Sequence, residues 1–141
     1  MRRVDRLFES YGQYHRDPVN KAIHWVCVPL IVWSVLGMLW AASPTAAFIA
    51  IAATTLFYVF LSVPLAAGML AIVAGMAWTL TLLGDHVLFV SLATFAGAWV
   101  GQFIGHAIEG RKPAFVDDLR SFLVAPAWLL GEFYRRLGIG Y

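Results

Sequence analysis

Gly101-Gln102-Phe103-Ile104-Gly105-His106-Ala107-Ile108-Glu109-Gly110-Arg111-Lys112-Pro113-Ala114 is where a long apolar run gives way to charge. At about 100° per residue, Gln102, His106 and Glu109 fall at helical offsets of 0, +4 and +7, inside an arc of roughly 60°. An amide, an imidazole and a carboxylate therefore share one face at the end of a helix. The segment before them contains little that water would solvate.

Reading outward, every Lys and Arg lies before Ala22 or after Glu109, and the interval between holds one formal charge, Asp85. With 141 residues, 61% of them hydrophobic, and a mean hydropathy of +0.76, the chain is too short for several domains and too apolar for an ordinary soluble one. The expected fold is an all-α integral membrane protein, a single membrane domain over residues 1–141. Four apolar segments approach the ~20 residues that a bilayer crossing needs: Ala22 to Ala42, Thr45 to Val63, Pro64 to Leu83 and Val87 to Ile108. Pro44 and Pro64 break the chain between neighbours, which predicts antiparallel hairpins. Positive charge before the first segment and after the fourth predicts both termini on the cytoplasmic side. Arg2 and Arg3 precede an apolar run with no A-x-A-like cleavage site in short order, so that run is expected to stay as a membrane helix.

The flanks carry amphipathic patterns. Val4, Leu7, Phe8 and Tyr11 follow the i, i+3, i+4, i+7 spacing, and residues 1–17 are expected to form an interfacial segment. Residues 18–109 form the four-helix bundle. Residues 110–141 mix apolar patches with Asp117, Asp118, Arg120, Glu132, Arg135 and Arg136, and Pro126 interrupts them; two short interfacial helices are expected there. A net charge of +2 with the basic residues beside apolar runs points to lipid headgroups, not nucleic acid. Cys27 is the single cysteine; it can form no internal disulfide and reads as helix packing, as do Gly97, Gly101 and Gly105 at four-residue spacing. Homo-oligomerisation is left open.

Topology decides which histidines can meet. Asp17 can cap a helix that starts at Pro18, which puts His15 outside that helix and His24 inside it. On one continuous helix the two would stand about 180° apart; the break lets them converge. Asn20 and His24 are i, i+4 neighbours. With the first helix starting and the fourth ending at the same membrane face, His15, His24 and His106 come to one depth with Asn20, Gln102 and Glu109. His86, twenty residues before His106, lies about 30 Å away at the opposite face. Several histidines, a carboxylate and open positions suit non-haem Fe(II) and oxygen chemistry, and zinc would also accept these ligands.

The pattern Tyr14-His15-x-x-Pro18-x-Asn20-x-x-Ile23-His24 with Pro29, followed by Gln102-Phe103-x-Gly105-His106-x-x-Glu109-x-x-x-Pro113-Ala114 and then Asp117-x-Leu119, Ala125-Pro126 and Glu132, resembles the Mpo1-like family across nearly the whole chain. The resemblance implies an Fe(II)-dependent dioxygenase that shortens 2-hydroxy long-chain fatty acids by one carbon in fatty-acid α-oxidation, with essential histidines at His15, His24 and His106. Conversion of a 2-hydroxy acid to CO2 and the next shorter acid releases four electrons, the number that reduction of one O2 to the level of water consumes. No reducing cosubstrate is needed, in keeping with the absence of a dinucleotide-binding motif. On this reading Fe(II) sits on His15, His24 and His106. Glu109 or Asn20 is a further ligand or orients a histidine, with Gln102 on the same face. Arg16, Lys21, Arg111 and Lys112 draw the substrate carboxylate to the interface, although the positive-inside rule alone also accounts for these four. The partners are then the bilayer, the 2-hydroxy acid and O2, and the compact chain favours a bacterial inner membrane over the endoplasmic reticulum.

Other classes fit less of the sequence. Histidine-box desaturases need HxxxH and HxxHH arrays that this chain lacks. Bis-histidine haem b could use two of the clustered histidines. A transporter would place ionisable groups at mid-bilayer, where only Ser, Thr and Gly are available here. A non-catalytic scaffold would carry no stoichiometric iron.

Overall fold

The computed structural model describes residues 2–141. It is all helical among the described residues, with six α-helices: α1 Arg3–Gly12, α2 Pro18–Ala42, α3 Pro44–Leu61, α4 Val63–Thr81, α5 Val87–Glu109 and α6 Ser121–Leu137, plus two 3-10 turns at Gly84–His86 and Ala114–Val116. Four helical stretches, Pro18–Ala42, Pro44–Leu61, Val63–Thr81 and Gly84–Glu109, are long and apolar enough to cross a membrane. Phe48, Ile49, Phe60, Trp78 and Phe89 stand exposed on their outer faces. Such a surface suits lipid, and every backbone polar group inside it has to be satisfied within a helix.

The breaks between helices are tighter than the prolines alone predict. Ser43 separates α2 from α3 and Ser62 separates α3 from α4, each in extended conformation. The Ser43 hydroxyl accepts from the Ala46 N–H at 3.5 Å and the Ser62 hydroxyl from the Leu65 N–H at 3.4 Å. One capping serine with a proline at the first or second position after it thus ends one helix and starts the next. At the start of α2 the Asp17 carboxylate accepts from Val19 and Asn20 N–H at 2.8 and 3.3 Å, as the sequence predicts.

Helix α2 is central and packs against α3, α4, α5 and α6. Its antiparallel pairing with α5 is the most extensive in the molecule. A Cβ at Gly101 would come within 2.6 Å of Cys27 Sγ, and one at Gly105 within 2.5 Å of Asn20 Oδ1. These glycines and Cys27 are packing residues, as expected; Gly97, with open space around it, is not part of the contact.

Residues 121–137 form one continuous helix where two short ones were expected. Pro126 lies near its start and removes a single backbone bond, that to the Phe122 carbonyl, without ending the helix. Two tyrosines fasten α6 to the bundle: Tyr58 Oη donates to Leu123 O at 2.6 Å and Tyr134 Oη donates to Pro64 O at 2.8 Å. Val4, Phe8 and Tyr11, the apolar stripe of α1, are buried, and α1 packs on α6. That stripe is used within the protein. α1 and α6 together close the end of the bundle where α2 begins and α5 ends.

Candidate functional site

Helix α5 ends in a Schellman-type turn. Gly110 adopts φ 74°, its N–H donates to Ala107 O, and the Arg111 N–H donates to His106 O at 3.2 Å. This stop leaves Glu109 in the last turn, facing the start of α2. Its Oε1 accepts from the backbone N–H of Arg16 at 2.5 Å and of Asp17 at 2.8 Å, and from Asn20 Nδ2 at 3.3 Å; Oε2 lies 3.1 Å from Asp17 N. Glu109 therefore braces the His15 turn and the N-terminus of α2, where a carboxylate also meets the positive end of the helix dipole.

Three imidazoles gather in the corner so formed. His15, His24 and His106 are buried, as are Asn20 and Gln102. Ring centroids are 4.3 Å apart for His15 and His24 and 4.9 Å for His15 and His106. His15 Nδ1 lies 3.3 Å from Tyr11 O. A carbonyl only accepts, so Nδ1 carries the proton and Nε2 keeps its lone pair. Burial pushes the His15 pKa down to about 4, which holds the ring neutral, the form that binds a metal. His24 Nε2 lies 3.1 Å from Tyr11 Oη and its Nδ1 3.5 Å from Gln102 Nε2. Turning the Gln102 amide over would present Oε1 to Nδ1–H and leave Nε2 as the lone-pair nitrogen of His24.

Tyr11 and Trp128 belong to this corner although no motif marked them. The Tyr11 ring stacks on His15 at 4.5 Å. Trp128 lies 5.5 Å from both His15 and His24. Burial pushes the Tyr11 phenol upward, so it stays a hydroxyl. In the sequence Tyr11 is the last member of an apolar stripe and Trp128 one aromatic in an amphipathic helix; only tertiary packing distinguishes them.

Of the four cations singled out by sequence, Lys21 shares a neighbour with the corner. Its Nζ is 5.7 Å from the Trp128 ring centroid and 3.5 Å from Glu132 Oε1. Arg111 lies over the Tyr14 ring at 4.2 Å and donates to Gln13 O at 3.3 Å. The Tyr14 hydroxyl in turn donates to Asp117. Arg16 and Lys112 are exposed. His86 is exposed on the turn before α5, at the other end of that helix, and takes no part.

Five buried side-chain polar atoms lack a partner among the described residues, and four of them are here: His15 Nε2, His106 Nδ1, Asn20 Oδ1 and Gln102 Oε1. Each such atom costs about 1–3 kcal/mol unless something meets it. As the rings stand, no three His, Cys, Asp or Glu side chains among the described residues form a closed set for a metal ion. The donor chemistry nonetheless fits a metal. Two histidine nitrogens are buried and unengaged, and His15 donates its other N–H to a carbonyl, the arrangement that fixes a ligating histidine. A bis-histidine haem fits poorly, because its axial rings stand on opposite faces of the macrocycle, whereas these rings pack on one another.

Residues 1–137 match the family described as 2-hydroxy-palmitic acid dioxygenase Mpo1-like. The chain belongs to the Mpo1-like family. It is 34% identical to the 2-hydroxy-palmitic acid dioxygenase MPO1 of Saccharomyces cerevisiae, over 91% of this chain and 78% of the yeast protein. No solved structure matches it. The family match takes in both histidine motifs, α1 and all of α6, so the helices that cover the corner fall within it as well.

Proposed function

We propose that the protein is an Fe(II)-dependent dioxygenase converting a 2-hydroxy long-chain fatty acid and O2 to the acid one carbon shorter, CO2 and water. The observation that carries this reading is the histidine corner: three buried imidazoles, two of them, His15 and His106, with an unengaged ring nitrogen, in a family described as 2-hydroxy-palmitic acid dioxygenase Mpo1-like. His15, His24 and His106 would hold the metal. Once bound, Fe(II) would supply a site for the substrate's carboxylate and 2-hydroxyl and for O2.

The remaining groups act through the chain itself. Tyr11 holds two of the three ligands, accepting His15 Nδ1–H at its carbonyl and meeting His24 Nε2 with its hydroxyl. For His24 to hold the metal, that hydroxyl would have to release Nε2, with Gln102 Oε1 accepting a hydrogen bond from Nδ1–H. Glu109 and Asn20 hold the His15 turn against α5 and do not themselves ligate. Lys21, above Trp128, is the cation best placed to attract the carboxylate. Arg16, Arg111 and Lys112 contribute positive potential around the entrance. Trp128 shields the corner from water. The helices cross the membrane with both chain ends on the cytoplasmic face, the side on which the basic residues cluster, and α1 and α6 lie at that interface.

The test is anaerobic reconstitution with Fe(II), then exposure to O2 and 2-hydroxypalmitic acid. The expected products are pentadecanoic acid and CO2 with one O2 consumed per turnover, and no Soret band in the spectrum. Iron-loaded protein that yields no shortened acid from 2-hydroxy acids of any length would overturn the proposal.

A further inference from the structure

The histidine corner opens inward as well as outward. Gln102 and His106, both buried and each with an unengaged polar atom, line a small cavity between α2, α5 and α6 that is walled by Val28, Trp99 and Phe115. Ile31, Val32, Phe122 and Pro126 line this cavity and also a second one of about 300 Å³, which runs among α2, α3, α4 and α6 and ends at Leu39, Ala50 and Ile51. Four shared side chains form a neck between the two.

The larger cavity presents mostly hydrocarbon. Its two polar lining residues turn their hydroxyls away to backbone carbonyls: Thr54 Oγ1 donates to Ala50 O at 2.9 Å and Tyr58 Oη to Leu123 O at 2.6 Å. Nothing in it would bind a polar ligand, and a CH₂ transferred from water into such surroundings gains about 0.8 kcal/mol. Its length also discriminates. From His24 to Leu39 along α2 is roughly 22 Å at the helical rise. A sixteen-carbon acid held by C1 and C2 leaves fourteen carbons, roughly 18 Å when extended in ~1.5 Å bonds.

We propose that this cavity binds the acyl chain of the 2-hydroxy acid, that Ile31, Val32 and Phe122 form the neck through which the chain leaves the histidine corner, and that Leu39, Ala50 and Ile51 set the longest chain accepted. The inference rests on the function proposed above. It adds the path of the substrate and the residues that measure it. A neighbouring cavity of about 250 Å³ between α2, α4 and α6, lined by Ile72 and Met76, shares only Val32 and Pro126 with the cavity at Gln102 and His106. It is therefore the less continuous route.

The first test is photo-labelling of the full-length protein in phosphatidylcholine vesicles by 2-hydroxypalmitic acid carrying a diazirine at its terminal carbon. Labels are expected between residues 35 and 39 and between residues 50 and 54, suppressed by excess unlabelled 2-hydroxypalmitic acid. Labels at Ile72 or Met76, labels confined to outward residues such as Phe60 and Phe89, or equal labelling of the cavity by a diazirine phospholipid would each overturn the assignment. Because labelling needs no turnover, its result stands apart from whether the protein is a dioxygenase. The second test is Ala50→Phe and, independently, Ile51→Trp. Either should lower kcat/KM for 2-hydroxypalmitic acid at least 10-fold while 2-hydroxyoctanoic acid stays within twofold of the parent protein. A parallel change for both substrates in folded, iron-loaded variants would rule out a chain-measuring wall.

Discussion

Helices α2 and α5 approach each other closely at both ends, but the two ends hold different chemistry. At one end Gly37 faces Ser91, Trp33 Nε1 donates to Thr79 Oγ1 at 2.8 Å, and the polar residues of the adjoining turn, Asp85 and His86, are exposed. At the other, Gly101 and Gly105 admit Cys27 and Asn20, and His15, His24, His106 and Gln102 are buried, with a polar atom unengaged on His15, His106 and Gln102. The difference comes from what covers the ends. Among the described residues, only the second end is capped by two further helices, α1 and α6, the latter fastened by Tyr58 and Tyr134. A helix pair alone builds a packed seam; burying imidazoles beside it takes a roof.

The largest effect should come from removing one of the proposed metal-holding histidines at the roofed end. His106→Ala, and likewise His15→Ala, should lose stoichiometric iron and more than 100-fold in turnover of 2-hydroxypalmitic acid, beyond the ~10–100-fold that loss of a ligand's support costs. Iron analysis of anaerobically reconstituted protein together with product mass spectrometry checks both. Full iron and full turnover in either variant would remove that residue from the site.

The next effect separates support from ligation. Tyr11→Phe keeps the ring stacked on His15 and the carbonyl that takes Nδ1–H, and deletes only the hydroxyl near His24 Nε2. It should change Fe(II) affinity by about 10-fold with little change in melting temperature. Tyr58→Phe removes a hydroxyl of the same kind, from Leu123 O. It should lower the melting temperature and leave iron affinity unchanged. If the two variants behave alike, Tyr11 is merely structural.

Much of this was legible in the sequence because it follows from local chemistry. Asp17 with Pro18 marks a helix start, so the position of His15 outside a helix could be read directly, and helical spacing put Gln102, His106 and Glu109 on one face. The meeting of His15 with His24 and His106 followed from counting crossings. Three things were not legible. Ser43 and Ser62 as one-residue breaks are hidden behind the stronger proline signal. Pro126 reads as a stop, but it falls near the start of α6, where one lost backbone bond is tolerated. Tyr11, Trp128 and the engagement of Glu109 with Arg16 and Asp17 N–H groups depend on how α1 and α6 pack, which no spacing encodes.

A smaller effect compares the two close approaches directly. Gly37→Ala and Gly105→Ala both push a methyl into an occupied position, against Ser91 and against Asn20 Oδ1. Each should cost about 1–3 kcal/mol as overpacking. Gly105→Ala should also weaken iron binding, because Asn20 is hydrogen-bonded to Glu109 and to Tyr14 O, whereas Gly37→Ala should leave iron binding unchanged. Gly97→Ala, with nothing within 4 Å of the added methyl, is the matched control and should be near neutral in both.

The smallest expected effect tests the comparison most sharply. His86 has the same side chain as the three clustered histidines and precedes His106 on the same helical stretch by twenty residues, about 30 Å of rise. It is exposed and sits on the 3-10 turn before α5. His86→Ala should therefore keep iron content and turnover within twofold and change stability by less than about 0.5 kcal/mol, as surface substitutions do. Any loss of iron on this substitution could not arise through the corner, which lies at the far end of α5. It would mean that His86 reaches a metal in another copy of the chain, and the contrast between a sealed end and an open one would have to be redrawn around an assembly instead of a single bundle.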